Sequence, residues 1–214
     1  MGKFTTRVDI CQAAAMKVGA QDITSVENPK TVTESRLSFL YDQTKRYVLR
    51  EGIWNFAQKI VTLPSLSEEV PEGFSKVFAL PNDNVRFMGI IVNGEYVVPD
   101  TDLYMLADNK IYFKNFYYVG DTLTLKYIRD INEVRKFDDL FVASFVLRLA
   151  YELAFAETQK SALTNRLLEE YAASIIQAKM VDGQEQKPRR VSRSRWLAAR
   201  RSIESTGIAL PRRI

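Results

Sequence analysis

The chain has 214 residues, 46% apolar and 26% charged, with 12 Phe, 10 Tyr, 2 Trp, 9 Gly and 7 Pro. Against about 150 residues as a soft prior for one domain, this is one domain or slightly more, with enough aromatic material to exclude disorder along the whole length or a low-complexity chain. It has no His and a single Cys, Cys11, which excludes His-dependent zinc sites, His-based catalytic triads and an intrachain disulfide, and its net charge is +4.

The start, Met1 to Asp9, carries Lys3, Arg7 and Asp9 without an apolar run, so no signal peptide is expected. Val8, Cys11, Ala15 and Val18 repeat at helical spacing and predict a helix over about 6–18. Thr5 or Thr6 can cap it and Gly19 stops it. Cys11 lies on the apolar face and reads as a small core residue. A loop with Asn28-Pro29 follows, then a helix over about 33–52, with Leu37, Leu40, Tyr41, Thr44 and Val48 on one face. Arg36, Asp42, Lys45 and Arg46 are expected on a solvated or subunit-facing side.

After Gly52 the period changes. Six short runs rich in Val, Ile, Tyr and Phe predict strands: Ala57–Leu63, Lys76–Leu80, Arg86–Val92, Glu95–Val98, Lys110–Phe113 and Thr122–Tyr127. Turn signals separate them, and Asn93-Gly94 is the two-residue loop of a tight hairpin. The helical period returns at Phe137. Residues 140–156 are apolar nearly all round except for Ser144, Arg148 and Glu152, one polar stripe at every fourth residue. Such a helix must be covered on most sides, as the centre of a bundle or against a neighbouring subunit. It falls short of the roughly 20 apolar residues a membrane span needs. Leu163, Leu167, Tyr171 and Ile175 predict a fourth helix over about 162–182, ended by Asp182-Gly183.

The expected fold is therefore α+β. Residues 1–186 form a bundle of about four helices with an antiparallel β unit inserted at about 56–130, and residues 187–214 form an extended basic arm. The arm holds nine basic residues against one acid, a net of +8, whereas residues 1–186 hold 21 basic against 25 acidic, a net of −4. Such a tail usually serves interaction. Arg195 to Arg201 is expected to form a short helix. Trp196 and Leu197 within an Arg-rich stretch suggest docking on a protein, with Trp as anchor. The arm residues singled out as partner-binding are Arg189, Arg190, Arg193, Arg195, Trp196, Leu197, Arg200 and Arg201.

Reactive chemistry finds few candidates. No glycine-rich phosphate loop is present, since Gly183–Lys187 lacks both spacing and a preceding strand. Glu68-Glu69, Asp138-Asp139 and Glu169-Glu170 are adjacent pairs that point apart, unlike the facing carboxyls of a glycosidase. Asp138 and Asp139 suit a helix N-terminus. Asp100, Asp102 and Asp108 match no calcium loop. No catalytic residue, cofactor or metal is expected, and the chain is not read as an enzyme. The sharpest motif is Trp54-Asn55-Phe56-Ala57, just after Gly52. It reads as a packing corner between bundle and insertion, with Asn55 bonding local backbone.

In these and neighbouring residues the chain resembles the tail tubular protein A, or head-to-tail adaptor, family of short-tailed bacteriophages. The features run in order: Lys17-Val18-Gly19-Ala20, Ile23-Thr24-Ser25, Tyr41-Asp42, Leu49-Arg50, Trp54-Asn55-Phe56-Ala57, Ala79-Leu80-Pro81-Asn82-Asp83 with Arg86, the Phe141–Ala156 helix, Tyr171, Ala178 and Asp182, and Arg195-Trp196-Leu197-Ala198-Ala199-Arg200. Beyond Arg201 the tail runs longer than the family pattern. The resemblance implies a structural virion protein, made in the host cytoplasm and placed in the phage tail. It implies a self-assembled twelve-fold ring that binds the portal protein on one side and the tail nozzle (tail tubular) protein on the other. Genomic DNA would pass through its channel, and no membrane is involved. An acidic body suits a conduit, because a wall that held phosphates strongly would retain the DNA. Two other readings stay open: a nucleic-acid-binding protein acting through the arm, and a tail-associated cell-wall hydrolase.

Overall fold

The computed structural model describes residues 4–92, 95–97, 103–114, 120–157 and 161–185. By contact the chain falls into a body, Met1–Gly183, and a second unit, Gln184–Ile214. Four helices and two small antiparallel sheets make the body α+β, as the periodicity predicts.

Capping chemistry sets the first two helices. In α1 (Arg7–Val18) the Thr6 hydroxyl accepts the Asp9 amide, and the Asp9 carboxylate accepts the Thr6 amide. Gly19 closes it at φ 72°, a left-handed turn that lets its N–H reach the carbonyls of Ala15 and Met16. In α2 (Val32–Glu51) Thr31 and Glu34 repeat the box. Glu34 goes further and is 1% exposed. Its carboxylate accepts the amides of Lys30 at 2.7 Å and Thr31 at 3.1 Å, and across the loop the Thr24 amide and hydroxyl, both at 2.8 Å, and the Ser25 amide at 3.2 Å. One side chain thus closes the loop joining α1 to α2. These donors, led by the Lys30 amide, hold its acid constant down at about 2, against 4.5 ordinarily. A folded-state value below the unfolded one stabilises the fold above pH 4.5, and that contribution is lost as pH falls towards 2. Glu34→Gln should therefore lower the melting temperature at pH 7. The gap to the parent should narrow as the two are compared at successively lower pH across that window, and a gap constant with pH would refute the assignment.

The third helix, α3 (Asp139–Glu157), is the centre of the bundle. Asp138 starts it by accepting the amides of Leu140 and Phe141. Phe141, Phe145, Leu149 and Leu153 are fully buried, worth ~1.5–3 kcal/mol each. Its coverage comes from α1, α2 and α4 (Ser161–Glu185) of the same chain, so the first of the two readings of this helix holds. The polar stripe turns inward. Ser144 is buried and bonds the Leu140 carbonyl and the Ser174 hydroxyl. The Arg148 guanidinium lies over the rings of Tyr47, Tyr151 and Tyr171 and pairs with Glu152 at 2.7 Å. Gly183 does not end α4, which runs on to Glu185.

The β unit has seven strands among the described residues, one more than expected: β1 (Gln58–Pro64), β2 (Phe74–Ala79), β3 (Asn84–Val92), β4 (Glu95–Val97), β5 (Tyr104–Ala107), β6 (Lys110–Lys114) and β7 (Thr122–Arg129). They form two sheets, β1-β7-β3-β4 and β2-β6-β5. Val92 pairs with Glu95, and the expected turn residues between them, Asn93-Gly94, lie outside the described residues. Phe78, Ile111 and Phe113 of one sheet meet Ile90, Leu123, Leu125 and Tyr127 of the other in a core of their own. Ile128, next to Tyr127 and pointing the opposite way, joins Val85 in the helical core. The first sheet therefore has one side in each core.

Candidate functional site

The Trp54-Asn55-Phe56 motif sits where α2 hands over to β1, and the structure brings its three residues to one joint. Trp54 is completely buried. Its indole N–H donates to the Val48 carbonyl at 3.0 Å, satisfying an acceptor in the last turn of α2. The ring meets Phe141 edge-on at 5.1 Å. Phe56 contacts Phe141 at 5.0 Å and Phe137 at 5.9 Å, and the chain of rings continues through Phe145 to Tyr41. Pairs of this kind add ~0.5–1.5 kcal/mol each beyond their burial.

Gly52 makes the corner possible. A Cβ there would lie 2.5 Å from the indole, well inside contact distance. Gly52→Ala should cost ~1–3 kcal/mol by overpacking. In a Trp54→Ala background the same change should cost much less, because the opposing ring is gone. Denaturant melts of the four proteins check both statements.

Asn55 goes beyond its expected role. Its backbone N–H donates to Asp182 Oδ1 at 2.9 Å and its side-chain Nδ2 to the Asp182 carbonyl at 2.8 Å, 127 residues along the chain. Locally its Oδ1 accepts from Gln58 Nε2 and its carbonyl accepts the Gln58 amide. Asn55 thus also ties the start of the β unit to the last turns of α4.

Two further ties fasten the β unit to α2. Arg50 donates to the Val85 carbonyl at 3.1 Å, and Arg86 donates back to the Arg50 carbonyl at 3.3 Å. At the far end of the insertion, Lys45 Nζ reaches Asn132 Oδ1 at 2.6 Å, Asp130 at 2.8 Å and Asp42 at 3.2 Å. Lys45 is 1% exposed, which corrects its expected place on a solvated or subunit-facing side. Buried charge is tolerated there because two carboxylates and an amide oxygen surround it. The signal was available: position 45 stands one turn from Tyr41 and beside Thr44 on the buried stripe. Asp182 and Arg86 had no local signal as joint residues, since their partners are remote in sequence.

The adjacent acids form no facing pair. Glu68 pairs with Lys110, and Glu170 with Arg166 and Lys17. Asp108 lies exposed in the β5–β6 turn. Among the described residues, no group of three or more His, Cys, Asp or Glu could hold a metal ion. Cys11 is buried, and desolvation pushes its thiol up to about 12, so it is no nucleophile at neutral pH. Among the described residues no helix is long and apolar enough to cross a membrane. The docking-arm candidates Arg189, Arg190, Arg193, Arg195, Trp196, Leu197, Arg200 and Arg201, with Asp100 and Asp102, lie outside the described residues. What the corner supplies is rigidity: one buried aromatic cluster with ties to the helical bundle, the β unit and the end of α4. No protein-family model and no curated protein matches the sequence.

Proposed function

We propose that the protein is a head-to-tail adaptor of a short-tailed bacteriophage. In this reading it forms a ring that joins the portal protein to the tail nozzle protein and lines the channel through which genomic DNA leaves. The bundle would build the ring wall, the β unit would supply nozzle or ring-to-ring contacts, and the arm would reach the portal. The observation that carries the reading is convergence. Residues that carry the resemblance and lie far apart in sequence are partners in space: Arg50 with Arg86, Asn55 with Asp182, and Tyr41 with Phe145 of the apolar helix. A ring component that transmits load between two neighbours needs its lobes fixed to one another, which such ties provide.

The +8 of residues 187–214 favours a second reading, direct nucleic-acid binding through the arm. The two separate in one experiment. The full chain is mixed in parallel with portal rings and with free duplex DNA over a series of salt concentrations. The adaptor reading expects portal binding that persists at salt where DNA binding has gone. Tight DNA binding with none to the portal would favour the second reading.

A further inference from the structure

Two arginines of the body differ from its other cations in how they are held. Lys59, Lys76, Lys110, Arg148, Arg166 and Lys179 each have a carboxylate at 3.2 Å or less. Arg50 and Arg86 are both exposed and form no ion pair among the described residues, although residues 1–186 hold more acids than bases. Their bonds go to main-chain carbonyls instead, Arg50 Nη1 to Val85 and Arg86 Nη1 to Arg50. These reciprocal ties place both side chains on the seam between the last turn of α2 and the start of β3. Arg46 stands one turn before Arg50, about 6 Å along the axis, and is 52% exposed. Its carboxylate, Asp130, lies at 3.5 Å and is shared with Lys45 at 2.8 Å. Gln43, exposed one turn earlier, continues the row.

A guanidinium offers five N–H donors, and each tie spends one on the backbone. The rest of the fork is held in place before a partner arrives, which lowers the cost of ordering it on binding. Three such groups with little carboxylate to neutralise them attract anions. A protein partner would need a desolvated apolar or aromatic centre as well, and no member of this row is apolar. Contacts to a nucleic-acid backbone need no such centre and are commonly made by Arg and Gln. Repeating phosphates also suit a row better than a single point.

We propose that Gln43, Arg46, Arg50 and Arg86 form a phosphate-binding row on the body that contacts the backbone of nucleic acid. It is separate from the basic arm, and it stands or falls apart from portal docking.

Fluorescence anisotropy of a short labelled DNA duplex, titrated with the full-length chain over a series of salt concentrations, tests it. Each phosphate contact contributes about 0.9 to the slope of log affinity against log salt. Arg46→Gln, Arg50→Gln and Arg86→Gln together should reduce that slope by about 2–3. The same three positions changed to Lys should keep it, because the charges remain. Arg46→Gln by itself breaks no tie to β3 and should remove about 1. A triple Gln variant that is folded by circular dichroism and keeps the parent slope would overturn the row. So would a triple Lys variant that loses as much as the Gln variant, since the ties and not the charges would then be the cause. If the triple Gln variant does not fold, Arg46→Gln decides, and an unchanged slope overturns the proposal. A loss of binding to polyglutamate with none to the duplex would assign the row to an acidic protein and overturn the phosphate reading. None of these results depends on whether the chain binds a portal.

Discussion

Trp54→Ala should destabilise the body by ~3–5 kcal/mol, the usual cost of emptying a fully buried large aromatic site. At about 2–4 °C per kcal/mol for a chain of this size, the melting temperature should fall by roughly 6–20 °C. Three losses add: the buried indole surface, the edge contact to Phe141, and the hydrogen bond to the Val48 carbonyl, which is left without its indole donor. Trp54→Phe should recover part of the packing and none of the hydrogen bond, and so fall between. Scanning calorimetry of the three proteins decides it. An unchanged transition in Trp54→Ala would mean the ring is dispensable to the core and free for a partner.

Truncation after Gln186 should leave a folded body that no longer joins the portal. The apolar periodicity of α4 ends near Asp182 and its last buried residue is Ala178, so the truncation removes no residue of the described helical core. They carry a net +8 together with Trp196 and Leu197. Charge acts at long range and sets encounter rate and salt dependence, whereas a desolvated aromatic anchor sets lifetime. Trp196→Ala should therefore weaken portal binding at every salt concentration. Neutralising Arg189, Arg190 and Arg193 should weaken it mainly at low salt, where screening is slight. Surface-immobilised portal with each variant in solution separates the two. Unchanged affinity of the truncated chain would show that the arm does not dock, and DNA contact in the channel would become the better assignment for it.

Where the sequence carries a local chemical signal, it foretold the fold. Thr6 and Gly19 bracket α1 because capping needs a hydroxyl before the helix and a left-handed residue after it. The apolar run from Phe141 announces a helix covered on nearly every side. The misses are non-local or weakly patterned. Tyr104–Ala107 escapes as a strand because Met105 and Leu106 are both exposed, so apolar and polar do not alternate along it. The split into two sheets escapes because alternation says that a strand has a buried face and not which sheet it joins. Gly183 looks like a stop and is carried inside α4, since glycine permits the turn that ends a helix, as at Gly19, but does not force it. At the corner, Trp54 and Phe56 were legible as core, but the Asn55–Asp182 tie spans 127 residues and leaves no trace in either neighbourhood.

The central claim is that this chain builds a ring on a portal. Negative-stain electron microscopy of the purified protein, alone and mixed with portal rings, tests it most directly. The expected result is small particles for the protein alone and, with the portal, an added ring of density coaxial with it on one face. Portal particles identical with and without the protein, at concentrations where both are in excess of any reasonable affinity, would contradict the claim.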